Sequence, residues 1–421
     1  MTDPLYIQIM PDPKMEVLDG VGHLVDQEME EVEDVELFPL EVLPVGIVAS
    51  VLEMMEPHEM LNLALTTPKM EAFFKFVKAG ITNFVIHFSG ESSAIQVQAD
   101  GGTIICGTDP LNAKVMVPRE IIQSWINQET LLGDLQSVYR NLGQMFTPHN
   151  HDTVVLRTTG LDNLLVEESG FVRDRLRNCE TIIVAGGEIS KDALELILHF
   201  SGAEPTDNRE LELRGVQVPQ DFETRNAFQF RRSVFGDARW IKLNDLFKIR
   251  DLSHVTLKKT SLTNSDMNQF IKHWIDADED MFGEFYSTGC EDFLWDNILD
   301  GIVTLEVKRL CIGCYFIASR PSSNKTYPYL AVTISRKKLK MLPVTFEKHG
   351  AAESDEFELT KRECDVLEKL QKKEFVEEML ASNTMQDLRP RMMRELELIG
   401  NFLRKYKVIF VKGRARMYYR Q

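Results

Sequence analysis

Apolar side chains first recur at helical spacing in three short segments, each begun by a proline. After Pro44, the residues Ile47, Val48, Val51, Leu52 and Met55 fall on one helical stripe. After Pro57, Met60, Leu61, Leu63 and Leu65 crowd a second helix. After Pro68, Met70, Phe73, Phe74 and Val77 stripe a third, with Thr67 placed to cap it. Proline suits a first helical turn because the N–H it lacks would have no partner there. Helices of about ten residues are marginal alone, and three of them make only a small core. Part of their apolar surface is therefore expected to lie under another domain or another protein.

From Asn83 the period shortens to that of strands. Phe84-Val85-Ile86, Ile95-Gln96-Val97 and Thr103-Ile104-Ile105 alternate with Gly, Ser and Asp clusters. Helical patterns follow at Pro118 to Ile126 and at Glu129 to Phe146, the latter with Leu131, Leu135, Val138 and Leu142 on one side. Strand-like segments then begin at Thr153, Thr181 and Leu211, spaced 28 and 30 residues apart, and others at Val255 and Met281. That period lies inside or close to the leucine-rich-repeat range of roughly 20–29 residues. Strand-turn-helix units that cannot bury their own apolar faces stack side by side. The pattern predicts a short, irregular horseshoe, interrupted by an excursion at residues 214–250 that holds Phe228, Phe230, Phe235 and Trp240. A flat α+β domain without true repeats is the alternative.

Phe357 to Leu380 and Pro390 to Tyr406 read as helices, and residues 406–419 as a hairpin turning at Lys412-Gly413. The expected fold class is thus α+β to α/β. A helical trio at 37–80 precedes a repeat-like strand-helix domain at 81–345 and a small helix-plus-hairpin unit at 350–421.

Charge refines this picture at both ends. The formal net charge is -17 over 421 residues, yet residues 1–36 hold eleven Asp or Glu against the single Lys14. Such a segment repels itself and has little to bury, so it reads as a disordered acidic tail. From Asn401 onward there are seven Lys or Arg, five aromatics and no acid. That composition admits a nucleic-acid-binding wing, but the favoured reading lays the hairpin against an acidic face of the same protein. No apolar run reaches the roughly 18 residues that span a bilayer, and the acidic start is unlike a basic targeting signal. An intracellular protein with no membrane partner is expected. The six cysteines are too sparse for a disulfide framework and are expected to be reduced.

The stretch Phe38-Pro39-Leu40-Glu41-Val42-Leu43-Pro44, with the aliphatics of the next two helices, resembles an F-box. The resemblance covers about forty residues. It departs from the family at Gly46, where a bulky helix former is usual, and at Met70, where many members have tryptophan. Gly46 costs its helix up to about 1 kcal/mol relative to Ala. The resemblance implies binding of a Skp-family adaptor, and through it a cullin-RING ubiquitin ligase, by Leu43, Pro44, Ile47, Val48, Val51, Leu52, Leu61, Leu63, Leu65 and Met70. A second resemblance lies over residues 235–285. There Arg239 to Leu243, Val255-Thr256-Leu257, and Leu262-Thr263-Asn264 before a helix ending at Trp274 are similar to the type 2 F-box-associated domain of the large nematode F-box family. That family usually has an Asp-Gly turn later in the domain, where this chain has Ser322-Ser323-Asn324. Together the two resemblances imply a receptor that holds a protein target and contributes no chemistry of its own.

Signatures of catalysis are poor. Cys311-Ile312-Gly313-Cys314 lacks both a second pair at zinc spacing and a helix N-terminus, so structural thiols are expected. His149-Asn150-His151-Asp152 reads as a polar loop, and Gly101-Gly102 and Gly186-Gly187 as turns. No cofactor or metal is expected. Besides a ubiquitin-ligase receptor, the sequence admits an F-box scaffold uncoupled from ubiquitin transfer, or a nucleic-acid-binding protein using the basic hairpin.

Overall fold

The structure is a computed structural model that describes residues 6–9, 43–52, 54–89, 93–99, 102–107, 116–117, 125, 130–159, 161, 170–202, 208–222, 227–289, 291–308, 314–321, 323–345, 359–382 and 386–418. The chain forms two compact units, residues 1–182 and 183–421. Both mix helices and strands, so the fold is α+β.

In the first unit the three proline-started helices are present as α1 (Val45–Leu52), α2 (Pro57–Ala64) and α3 (Pro68–Val77). Local chemistry starts them as expected. Thr67 Oγ1 accepts the Met70 N–H at 3.1 Å, and Glu59 reaches back to the Glu56 N–H at 3.0 Å. The trio is built into the unit and does not stand apart from it. α2 packs on a strand, β5, and α3 packs on a later helix, α4 (Leu131–Met145), where Lys75 Nζ donates to Asn141 Oδ1 at 3.2 Å.

Strands β3 (Asn83–Phe88), β4 (Ala94–Ala99) and β5 (Gly102–Gly107) form an antiparallel meander. On its far side β8 (Thr153–Arg157) joins β3 in parallel, and a short parallel pair links β2 (Ala79–Ile81) with β7 (Phe146–Pro148). β5 also pairs with β1 (Tyr6–Ile9), which pairs in turn with β6 (Met116–Val117). Four residues of the segment expected as a disordered tail are therefore a strand. Phe38 to Val42, the Leu-Pro approach to the F-box, and the helix expected from Pro118 lie outside the described residues, apart from Trp125. Helix α5 (Gly170–Asn178) completes this unit, and β9 (Thr181–Ala185) spans the boundary.

The second unit opens with helix α6 (Lys191–Ser201) and then lays down four parallel strands, β10 (Glu210–Arg214), β11 (Arg232–Phe235), β12 (Leu252–Thr260) and β13 (Phe282–Gly289). Paired positions Glu210, Arg232, His254 and Glu284 step by 22, 22 and 30 residues, a leucine-rich-repeat-like spacing. Residues 214–250 are thus no excursion. They contain β11, a full member of the ladder, and Trp240 packs edge-on to Phe222 at 5.4 Å and tilted against Phe235 at 5.3 Å. Helices α7 (Leu243–Leu246) and α8 (Asn264–Asp276) connect β11 to β12 and β12 to β13. α8 buries Met267, Phe270, Ile271 and Trp274, and Thr263 caps it through Asp266.

The horseshoe stops at β13. After α9 (Trp295–Ile298), β17 (Lys338–Val344) pairs with β13 in the antiparallel sense. Next come β16 (Tyr329–Ser335), β15 (Cys314–Ala318) and β14 (Leu305–Lys308), all antiparallel. The C-terminal segment belongs to this same unit. Helix α10 (Lys361–Ala381) lies on β14 and β15 and packs on α11 (Arg389–Lys405). The hairpin of β18 (Ile409–Val411) and β19 (Arg414–Tyr418) joins the sheet through a parallel pairing of β19 with β14. Lys412 and Gly413 form its turn at φ 50° and 80°.

Candidate functional site

Two surfaces present side chains that a partner could read. On α1, Pro44 and Ile47 are exposed, Ile47 by 51%, while Leu43 and Val51 are half-buried. Val48, Leu52, Leu61 and Met70 are buried between the helices and the unit beneath them, and Leu63 and Leu65 are half-buried. The ten residues anticipated as an adaptor contact therefore divide into a set that holds the trio together and a smaller set that faces outward. Sequence periodicity missed two strongly exposed apolar side chains, Met54 at 78% and Phe76 at 75%. Neither falls on an apolar stripe, and that off-stripe position was the available signal.

The second surface is one face of the sheet in the second unit. Residues paired across neighbouring strands point to the same side. One row accordingly runs Glu212, Val234, Thr256, Tyr286, Lys340 across β10 to β13 and β17. A second runs Glu210, Arg232, His254, Glu284. On the opposite face Leu213, Phe235, Val255, Leu257 and Phe285 form the core.

The polar rows are tied laterally. Arg232 Nε lies 3.3 Å from Glu210, Lys340 Nζ 2.9 Å from Glu284, and His254 Nδ1 3.2 Å from Glu284. Burial lowers the His254 pKa in spite of Glu284, so its ring is neutral near pH 7 and shares a proton with Thr256 Oγ1 at 2.7 Å. Partial burial would raise the Glu284 pKa, but Lys340 and His254 outweigh it and keep the carboxylate ionised. This surface carries charge and hydrogen-bonding groups, among them the Thr256 hydroxyl on His254 with Glu284 behind the ring.

Below the sheet, a cleft of about 1110 Å³ lies between α8, the turn after β15 and α10. Its rim mixes cations and carboxylates, Lys272, Arg320 and Lys372 against Asp276, Glu368 and Glu374, around the exposed ring of Phe375. That balance gives it no net charge preference.

Two cations of the basic hairpin pair with acids of the same unit, while Lys407 and Lys412 are exposed. Arg416 binds Glu306 through Nε at 2.6 Å, and Arg414 lies 2.9 Å from Asp296. Cys314 is buried in β15, whereas Cys311 lies outside the described residues. Asp152, in the polar loop after β7, accepts from Tyr139 OH at 2.6 Å and faces Arg175 at 3.4 Å.

The segment spanning β11, α7, β12 and α8 has a known counterpart. Residues 218–279 match the F-box associated family. No curated protein matches the chain, and no solved structure does. The F-box associated segment supplies the exposed Arg232 and Lys258 and the half-buried Val234 and His254 to the strands of this sheet, as well as core. Just beyond it lies the turn that departs from the family pattern. The loop between β15 and β16 places Lys325 over the Trp274 ring at 3.8 Å, donating to the Trp274 carbonyl. It thereby closes the C-terminal end of α8.

Proposed function

We propose that this chain is the substrate-recognition subunit of an SCF-type cullin-RING ubiquitin ligase. The observation that carries the reading is the F-box associated match at residues 218–279. Upstream of it stand three proline-started helices whose Leu43-Pro44 entry and aliphatic stripes resemble an F-box. In this reading Leu43, Pro44, Ile47 and Val51 touch a Skp-family adaptor, while Val48, Leu52, Leu61 and Met70 hold the trio in shape. The second unit holds a protein target, and chemistry is left to the ligase. Tethering a target beside a charged conjugating enzyme makes an otherwise bimolecular transfer effectively intramolecular. Among the described residues no helix is long and apolar enough to cross a membrane. The proposed working place is intracellular, in a complex like those assembled by the nematode family that the sequence resembles.

The test is co-purification with the adaptor. Exposed apolar anchors of this kind cost about 2 kcal/mol when truncated, or about 30-fold in affinity. Leu43→Ala with Ile47→Ala should abolish capture while circular dichroism stays unchanged. Undiminished capture by that double variant refutes the assignment. Leu52→Ala serves as a contrast. Its side chain is 2% exposed, so truncation should destabilise the first unit by about 2–5 kcal/mol through a cavity.

A further inference from the structure

At the carboxyl ends of the parallel strands, the open face gathers cations. Lys338 on β17 pairs with Thr288 on β13, and Lys258 lies at the same end of β12, just past the last regular pair of Leu257 with Ser287. A register shift between Leu257 and Thr260 makes Lys258 and Lys259 both exposed, and Lys259 is held at φ 50° with its N–H on Thr288 Oγ1 at 3.2 Å. The β16–β17 turn adds Arg336 and Lys337, anchored where Gly289 N–H donates to the Lys337 carbonyl at 3.0 Å.

None of these five cations forms an ion pair within 4 Å among the described residues. Their neighbours lower on the same face do. Arg232 is paired with Glu210, Lys340 with Glu284, and Arg214 with Glu212. Asp237, which also feels Lys259, is held by Arg239 at 2.6 Å, and that guanidinium keeps its pKa below the usual carboxylate range. Five cations at one end of a face, none within 4 Å of a carboxylate among the described residues, form a local field of opposite sign to the net charge of -17. Directly below them Tyr286, half-exposed between Thr256 and Lys340, offers an aromatic floor.

We infer that this end of the sheet binds an Asp/Glu-rich extended segment of the target protein. Its carboxylates would lie over Lys258, Lys338 and the Arg336-Lys337 turn, and an apolar side chain would rest on Tyr286. The inference rests on the reading of the second unit as the target-binding part, and it names the chemistry of the target. An acidic segment is favoured because its carboxylates complement the cations gathered at this end of the face.

The experiment measures fluorescence anisotropy of the full chain with a labelled peptide of alternating Glu and Leu. A Gln-for-Glu peptide and a single-stranded oligonucleotide serve as controls. Saturable binding of the Glu peptide is expected, weakened by salt and lost at least about tenfold in Lys258→Glu with Lys338→Glu. Lys258→Arg with Lys338→Arg should retain it, and Lys258→Gln with Lys338→Gln should show the loss without charge reversal. The inference is overturned if the Glu peptide does not bind, if both charge-removing variants bind it as the unmodified chain does, or if the Gln peptide or the oligonucleotide binds as tightly. Adaptor capture, scored on the same preparations, separates the two ideas. Captured adaptor without peptide binding sinks the acidic-segment inference alone. Peptide binding without adaptor capture sinks the F-box reading and leaves the surface standing.

Discussion

Glu306 on β14 is only 5% exposed, and its carboxylate is answered by the Arg416 guanidinium, with Nε at 2.6 Å and the second contact at 2.5 Å. Its strand neighbours Leu305 and Val307, and Ala415 and Met417 beside Arg416, are buried apolar residues. Arg416→Met removes the guanidinium from a carboxylate that is only 5% exposed. Breaking a buried pair in this one-sided way costs about 3–5 kcal/mol. Replacing both partners with Met removes the stranded charge, so the Glu306→Met, Arg416→Met protein should recover most of that loss.

The assay is urea unfolding followed by tryptophan fluorescence. Three of the four tryptophans, Trp240, Trp274 and Trp295, lie in the second unit and report on it. With a urea slope of about 2–3 kcal/mol/M, the midpoint of that unit should fall by about 1–2 M in Arg416→Met. Arg404→Met, at an exposed arginine that bonds only within its own helix, should change stability by no more than about 0.5 kcal/mol. If Arg416→Met costs less than about 1 kcal/mol, or if the double Met protein is as unstable as the single, the pair does not lock the hairpin to the sheet. The basic C-terminus would then be free for another use.

Two further outcomes follow from the second unit. Asn268 is buried on α8 and its amide donates to the carbonyls of Ile298 and Asp300, both at 2.8 Å. Asn268→Leu should therefore lower stability by about 2 kcal/mol or more, and Asn268→Asp should not rescue it because a carboxylate cannot donate; an unchanged melting temperature would count against this. Lys325 has its pKa brought down to about 8 by burial, against the pull of Asp280, Asp276 and Asp278. Between that value and the roughly 10.4 of an unfolded lysine, the unfolded chain holds the proton and the folded one does not, so stability rises with pH across this window. Unfolding free energies at about pH 7.5 and 9.5 should show that rise in the native chain and a smaller one in Lys325→Met.

How far the sequence disclosed this fold depended on how local the evidence was. β12 and α8 were legible because Val255-Thr256-Leu257 alternates and the Thr263 cap introduces a clean Met267, Phe270, Ile271, Trp274 stripe. β11 was hidden, since Arg232-Ser233-Val234-Phe235 inserts a buried serine into its inward row, its hydroxyl satisfied by the carbonyls of Ala227 and Phe230. Tyr6–Ile9 is an uncharged run inside an acidic stretch whose average composition masked it, and its partner β5 is about a hundred residues away. The basic hairpin looked like an appendage because the residue that neutralises it, Glu306, lies 110 positions earlier than Arg416. On α1 to α3, periodicity found which side chains share a stripe. It could not decide whether the stripe faces inward, as Val48 and Leu52 do, or outward, as Ile47 does.

A single row of paired residues explains why the second unit needs its C-terminal helices. Across the sheet it reads Glu212, Val234, Thr256, Tyr286, Lys340, Thr333, Cys314, Val307, Met417. All nine point to one face, yet the row changes from polar to apolar at Thr333. On the polar side the strands can meet water, as antiparallel and repeat sheets do when one face carries charged residues. On the apolar side Cys314, Val307 and Met417 cluster with Leu305, Phe316 and Ala331, and α10 and α11 cover them with Val366, Leu367, Leu370, Ile399 and Leu403. The covering helices therefore end where the polar face begins, and the same helices make that face finite. A chain cut after β17 would keep every strand of the parallel ladder and still expose a contiguous apolar sheet, which is the condition for aggregation. A chain ending at Val344 is therefore expected to aggregate, and light scattering that shows it as monodisperse as the chain through Met417 would refute this.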